Sequence, residues 1–117
     1  MFFNSLRELG TSVSLFQSDV VDYIHSLATR NGRALKEKRW FPHVMELTSR
    51  LRKDEIPLAL TKLEKKYDSD FPVDVCLASN IIEVGVDISR LSLLVVVGQP
   101  KSTSQYIQIT GRVGRRW

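Results

Sequence analysis

Short apolar runs alternate with amphipathic segments along the chain, and this alternation is typical of strands separated by helices. Residues 1–4, 43–48, 73–78 and 93–97 form the runs that predict strands. The last two runs are rich in β-branched side chains without strict polar alternation, as expected when both faces of a parallel sheet are covered. The pattern therefore predicts an α/β domain with a mostly parallel sheet.

Four amphipathic segments predict helices, and each begins at a residue whose side chain can accept a backbone N–H. The predicted helices cover residues 5–16, 18–30 and 55–67, and a last one runs from residue 102 into the arginine-rich end. The predicted capping residues are Ser5, Ser18, Asp54 and Ser102. The predicted order is β-α-α-β-α-β-β-α, with helices on both faces of the sheet.

The composition is that of an ordered globular chain, since 43% of the residues are hydrophobic and 26% are charged. With 117 residues, the chain is long enough for one domain with a modest core. Its longest apolar run, residues 91–97, is too short to cross a bilayer. The single cysteine, Cys76, excludes an internal disulfide, and we expect it to be a buried core residue in a reducing, cytoplasmic setting.

Positive charge is concentrated in one part of a chain whose net charge is +4. The charged residues between positions 30 and 53 are Arg30, Arg33, Lys36, Lys38, Arg39, Arg50, Arg52 and Lys53, against Glu37 and Glu46. Such clustering is typical of nucleic-acid-binding surfaces, and the nearby Trp40 and Phe41 can stack on bases. A solvated surface segment whose aromatics anchor it to the core explains the same residues, so both interpretations stay open.

The first segment with candidate chemistry is residues 78–88, which follow a predicted strand. Ser79 and Asn80 can offer a hydroxyl, an amide and backbone N–H groups to a phosphate. Gly85 allows close approach of the backbone to a ligand. Asp87 lies between two apolar residues, where a carboxylate needs a defined partner such as a ribose hydroxyl or an arginine. A structural aspartate that caps a turn is the alternative.

The second segment has the pattern Q-x-x-G-R-x-G-R, formed by Gln108, Gly111, Arg112, Gly114 and Arg115. If the last helix continues to the end of this pattern, the glutamine and both arginines share one face of it. The glycines lower helix stability but remove side chains that would block a close neighbour or a phosphate. Guanidinium groups suit the charge on a phosphoryl group in transfer. A basic, frayed helix end is the alternative interpretation.

Together the two segments, S-N-x-x-x-x-G-V-D-I and Q-x-x-G-R-x-G-R with one apolar strand between them, resemble motifs V and VI of superfamily 2 helicases. Residues 2–5 resemble the strand and turn of motif IV in that family. The resemblance implies that the chain is the second, C-terminal RecA-like lobe, a three-layer domain with helices on both faces of a sheet. Residues 84–115 also resemble helicase-related proteins of phage-defence type.

The resemblance implies a role for each matching residue. Arg112 and Arg115 match the arginine fingers, which reach ATP and Mg²⁺ held mainly by the first lobe. Gly85 and Asp87 match positions that contact the ribose and couple it to the lobe interface, and Gln108 matches a sensor of the γ-phosphate. The positions that match contacts to the nucleic-acid backbone are Asn4, Ser5, Ser79 and Asn80.

The chain departs from the family pattern in two ways. Ile109 stands where many members carry an arginine, so the site is expected to use only Arg112 and Arg115. The sequence also contains no G-x-x-x-x-G-K-[ST] loop, and no D-E-x-x box for magnesium directly follows any of its apolar strands. We therefore expect residues 1–117 to be one lobe of a larger motor, without the first lobe and a terminal strand, and inactive alone.

The expected partners are an N-terminal RecA-like lobe and DNA or RNA, without a membrane, and the isolated lobe is expected to self-associate. A competing interpretation is a non-catalytic nucleic-acid-binding or protein-interaction module that keeps the RecA-like fold. Such a module needs basic residues spread along a groove rather than two glycine-spaced arginines. A Rossmann-type dinucleotide domain is excluded because no G-x-G-x-x-G follows the first predicted strand.

Overall fold

The computed structural model of the chain describes residues 1–32, 43–79, 88, 90–111 and 113. The strands are β1 (Phe2–Phe3), β2 (Val44–Leu47), β3 (Val75–Ala78) and β4 (Val96–Val97). The helices are α1 (Leu6–Leu15), α2 (Val21–Arg30), α3 (Glu55–Glu64) and α4 (Thr103–Thr110), and a π-helical turn (Phe16–Val20) joins α1 to α2. The predicted element types and their order are therefore confirmed.

The four strands form one sheet in the order β2-β3-β1-β4, and each neighbouring pair is parallel. Phe2 lies opposite Ala78 on one side and Val96 on the other, so the first strand of the chain lies inside the sheet. The α/β fold with a parallel sheet is thus confirmed. Because all strands run in the same direction, the residues that follow them gather at one edge.

Two apolar clusters lie on opposite faces of this sheet. Side chains alternate along a strand, so neighbouring residues of β3 point to different faces. Leu77 packs with α1, while Ala78 packs with α3. The first cluster contains Phe3, Leu9 and Leu77, and the second contains Leu47, Ala59, Leu63, Ala78 and Ile88. Helices therefore cover both faces, which gives the three layers expected of a RecA-like domain.

The predicted starts of α1 and α4 are confirmed by their capping hydrogen bonds. Ser5 Oγ accepts from the backbone N–H of Glu8 at 3.3 Å, and Ser102 Oγ accepts from Gln105 N at 3.2 Å. The Gln105 side chain also reaches back, with its Oε1 accepting from Lys101 N at 3.0 Å. Both helix starts are thus fixed by interactions within four residues, which the sequence displays directly.

The predicted helix start at Ser18 is wrong, because the chain stays helical from α1 through the π-helical turn into α2. Ser18 donates its hydroxyl to Ser14 O at 3.0 Å instead of accepting a backbone N–H. A serine inside a helix commonly makes this bond to the carbonyl four residues before it. The local pattern allowed both arrangements, and the apolar face of Leu9, Val13 and Phe16 favours continuity.

At the start of α3, the predicted cap by the Asp54 side chain is also wrong, since it makes no capping hydrogen bond. Glu55 Oε2 accepts from Arg52 N at 2.8 Å, and the Arg52 guanidinium lies 3.2 Å from Asp54 Oδ2. A carboxylate near a helix N-terminus is still favourable. The helix ends at Glu64 rather than near Tyr67.

The last strand is shorter than the sequence predicts. The run 93–97 predicted a strand of five residues, but β4 comprises only Val96 and Val97. Leu93 is 79% exposed, and the first inter-strand hydrogen bond joins Phe2 N to Val95 O at 2.8 Å. Within the sheet of the described residues, β4 has a strand neighbour on one side only. An apolar run at the edge of a sheet does not need to pair over its whole length.

Candidate functional site

The carboxyl ends of the four strands define the candidate site. Asn4 follows β1, Thr48 follows β2, Ser79 follows β3 and Gly98 follows β4. The register places Leu47 opposite Ala78, and Phe3 opposite Val97, so these four polar or small residues lie at the same edge. In open parallel sheets, ligands bind at this edge.

The side chain of Asn4 links β1 to the segment that follows β4 through hydrogen bonds. Its Nδ2 atom donates to Gln99 O at 2.8 Å and more weakly to Val97 O at 3.4 Å. Its Oδ1 atom is buried and makes no hydrogen bond with the protein. Gly98 has a φ of +78°, and a Cβ built there would lie 3.2 Å from Asn4 Nδ2. The amide of Asn4 therefore shapes this edge, and only glycine combines the required backbone with the required space.

Ser5 and Ser79 occupy different environments at the same edge. The Ser5 hydroxyl is exposed and caps α1. Ser79 is only 5% exposed, and its N–H donates to Leu47 O at 3.3 Å. Thr48 lies beside it, 1% exposed, with Oγ1 accepting from Arg50 N. Sequence reasoning did not select Thr48 as a site residue, although a polar residue directly after an apolar strand is the signal that selected Ser79.

Gln108 is exposed on α4, whose other face buries Ile109 to 1% exposure. The helix ends at Thr110, and Gly111 N donates to Ile107 O at 3.0 Å. The predicted alignment of Gln108 with Arg112 and Arg115 stays a prediction, since both arginines lie outside the described residues. Thr110 Oγ1 also donates to a preceding carbonyl, and glycine beside it favours termination.

The other predicted site residues lie outside the described residues. These are Asn80, Gly85, Asp87, Arg112 and Arg115, and the same holds for Trp40, Phe41 and the basic residues of 33–42. The described residues that border the first segment are buried, with Ser79 at 5% and Ile88 at 3% exposure. The structure therefore defines where this segment leaves and rejoins the core.

An open cavity of about 670 Å³ adjoins the end of β4 and the start of α4. It is lined by Gly98, Gln99, Lys101, Ser102 and Tyr106, among others. Its walls offer backbone carbonyls, a hydroxyl, an ammonium group and an aromatic ring, which suit contacts with a polar chain. Asn4 borders this region through its bond to Gln99.

Cys76 has the properties of a core residue rather than a nucleophile. Burial raises the pKa of its thiol to about 11, an effect that the nearby chain amino group partly offsets. That amino group, on Met1, donates to Cys76 O at 2.6 Å, and burial lowers its own pKa. The thiol is therefore neutral at physiological pH, where a thiolate would be needed for attack.

The described part of the chain offers no complete catalytic set at this edge. In those residues, no three His, Cys, Asp or Glu side chains are grouped so that they could hold a metal ion. Nor does any helix there combine the length and apolar character needed to cross a membrane. What the edge supplies is hydroxyl, amide and backbone groups, which suit contacts to phosphates and sugars.

Comparison with known proteins identifies relatives of the chain. Residues 20–116 match the family described as "Helicase conserved C-terminal domain". The chain is 44% identical over 114 residues to the DISARM protein DrmA of Bacillus paralicheniformis, covering 97% of this chain and 10% of that protein. It is 34% identical over 74 residues to the ATP-dependent helicase Lhr-Core of Methanocaldococcus jannaschii, covering 63% of this chain and 7% of that protein.

A second Lhr-Core helicase, from Sulfolobus acidocaldarius, is 26% identical over 109 residues, covering 93% of this chain and 9% of that protein. The chain thus spans about a tenth of the length of the curated relatives it matches. These matches confirm the resemblance inferred from the two glycine-containing segments.

Proposed function

The chain belongs to the helicase conserved C-terminal domain family, and from this premise we propose that it is the second RecA-like lobe of an ATP-dependent superfamily 2 helicase or translocase. The observation that carries the proposal is the carboxyl edge of the parallel sheet, where β1 and β3 bring Asn4 and Ser79 together. This is the edge at which ligands bind in open parallel sheets.

The ATP-dependent part of the proposal assigns Arg112 and Arg115 to the charge that develops on the transferred phosphoryl group. Gly85 and Asp87 contact the ribose, and Gln108 senses the γ-phosphate. The exposed position of Gln108 on α4 supports its availability to the first lobe. ATP and Mg²⁺ are held mainly by that first lobe, and ATP hydrolysis there supplies the free energy for movement.

The nucleic-acid part assigns Ser5, Ser79 and Asn80 to contacts with the phosphate backbone. Because the Asn4 amide nitrogen already donates to two carbonyls, Asn4 contributes by holding the end of β4 and Gln99 in place. Opening and closing of the cleft between lobes then moves a strand that is gripped through its phosphates. The strand is DNA or RNA.

The wider setting of the lobe is part of the same proposal. Residues 1–117 form a single domain that joins an N-terminal RecA-like lobe in a cytoplasmic protein, and the isolated lobe self-associates. The similarity to a DISARM protein supports a helicase-related protein of phage-defence type.

ATPase measurements on this chain joined to a first RecA-like lobe test the proposal. We expect ATP hydrolysis that nucleic acid stimulates, and none from residues 1–117 alone. Arg112→Gln and Arg115→Gln should each lower kcat by about 10³-fold or more, the scale of an arginine finger. Lys66→Gln is the control, because it removes one exposed positive charge just after α3.

Two results would contradict the assignment. ATPase activity of the isolated chain would remove the need for another lobe. Nucleic-acid binding by the two-lobe protein with no ATPase activity would favour the non-catalytic binding module instead.

A further inference from the structure

Arg90 donates to three backbone carbonyls, one in α3, one directly after α3 and one just before β3. Its Nη1 donates to Leu63 O at 3.0 Å and also to Lys65 O, and its Nη2 donates to Val73 O at 3.2 Å. The side chain is half-buried, so these bonds are partly shielded from water. One guanidinium group therefore joins the end of α3 to the residues that lead into β3.

The carbonyls of Leu63 and Lys65 need a donor because α3 ends there. The last carbonyls of a helix have no partner within it, and Lys65 leaves the helix with a ψ of 132°. No glycine caps this end, whereas a planar guanidinium can serve several carbonyls at once. Arg90 thus supplies from a distant part of the chain what a local cap would otherwise provide.

The hydrogen bonds of Arg90 also restrain Ile88, because the two residues are close in the sequence. It lies two residues after Ile88, which is 3% exposed in the cluster with Leu63 and Ala78. The N–H of Leu91 donates to Ile88 O at 3.2 Å and closes a turn around Arg90. The end of segment 79–88 is therefore held against α3 by an apolar side chain and a guanidinium together.

The other end of this segment is held by a different contact. Ser79 follows β3 and donates its N–H to Leu47 O at 3.3 Å, next to the end of β2. The segment thus leaves the sheet at the edge assigned to nucleic acid and rejoins the core beneath α3. Both ends are fixed to the same half of the domain, since Leu47 and Ile88 share one cluster.

We propose that Arg90 is a positioning residue that fixes Ile88 against α3 and thereby sets how nucleic-acid contact at Ser79 is coupled to ATP hydrolysis in the two-lobe protein. This inference rests on the proposed function, because the coupling needs both ligands. Arg90 touches neither ligand and acts through the segment that precedes it. A group that only capped α3 would stabilise the domain without affecting that coupling.

The first test measures amide hydrogen exchange of residues 80–88 in the 117-residue chain. Arg90→Gln should raise the exchange rate of that segment by about 10-fold, while peptides of α1 change little. Arg52→Gln is the matched control, since Arg52 pairs with Asp54 and Glu55 at the opposite end of α3. Arg90→Lys keeps the positive charge but loses the planar guanidinium that serves several carbonyls, so the exchange rate should lie between those of the wild type and Arg90→Gln.

Exchange that is unchanged in Arg90→Gln, or that rises equally in every peptide, would overturn the proposal. If Arg90→Gln does not fold, the comparison of Arg90→Lys with Arg52→Lys decides the same question. An effect confined to residues 80–88 in the lysine variant of Arg90 supports the inference, and its absence overturns it.

The second test uses the chain joined to a first lobe. Arg90→Gln should reduce the stimulation of kcat by nucleic acid about 10-fold while the unstimulated rate stays within about twofold, because positioning rather than chemistry is lost. Equal loss of both rates would overturn a positioning role. An unmodified two-lobe protein without ATPase activity would instead refute the proposed function, and the exchange result would still decide whether Arg90 anchors the segment.

Discussion

At the scale of single residues, a methyl group is unfavourable at Gly98 and tolerated at Gly10. Gly98 has a φ of +78° and faces the Asn4 amide, whereas a Cβ at Gly10 in α1 meets nothing within 4 Å. Gly98→Ala should lower the free energy of unfolding by roughly 1–2 kcal/mol, and Gly10→Ala should raise it by about 1 kcal/mol. Urea titrations of both variants check this pair. Changes of the same sign would show that the Asn4 contact does not constrain the end of β4.

The Cys76 thiol gives a prediction that depends on pH. Burial raises its pKa from 9.0 to about 11 in the folded chain, so the neutral thiol is the form that folding favours. The contribution to stability is complete below pH 9 and is lost as the pH rises toward 11. The free energy of unfolding should therefore fall more steeply across this range in the wild type than in Cys76→Ala. Parallel pH profiles would mean that the thiol is not buried.

At the scale of elements, the sequence predicted the features that depend on near neighbours and missed those that depend on distant ones. The caps at Ser5 and Ser102 were predicted because each partner lies three residues away. Ser18 was misjudged because a serine hydroxyl can serve either a helix start or a helix interior. Arg90 was not selected, because its carbonyl partners lie up to 27 residues away.

The candidate site shows the same division. The position of Ser79 at the carboxyl edge follows from the apolar strand before it and could be predicted from the sequence. The contact of Asn4 with Gln99 spans 95 residues, so no local pattern displays it. Helical spacing predicts the alignment of Gln108 with Arg112, but α4 ends at Thr110 and Arg112 lies outside the described residues, so the alignment stays a prediction. Spacing predicts a shared face only as far as the helix extends.

At the scale of the whole molecule, the exposed edge of the sheet predicts association. In the described sheet β4 is an outer strand, and Leu93 and Val95 beside it are 79% and 40% exposed. Unpaired strand edges next to apolar side chains favour pairing with another chain. Sedimentation of the isolated chain should show dimers or larger species, and Val95→Lys should weaken them. Leu58→Lys, at an exposed position on α3, should not.

A monomer at high concentration would contradict this prediction. Equal weakening by both lysine variants would show that general apolar exposure, rather than the strand edge, drives association.

The order of the strands also determines when the domain can be completed. β1 comes first along the chain but lies between β3 and β4, whose paired residues Ala78 and Val96 follow Phe2 by more than 70 positions. During synthesis β1 emerges before β3 and β4, so it cannot pair with either until they have been made. Closing such long loops is slow compared with forming a helix. The two phenylalanines of β1, which the finished fold buries completely, therefore stay exposed until their partners are made, and such transiently exposed apolar side chains favour aggregation.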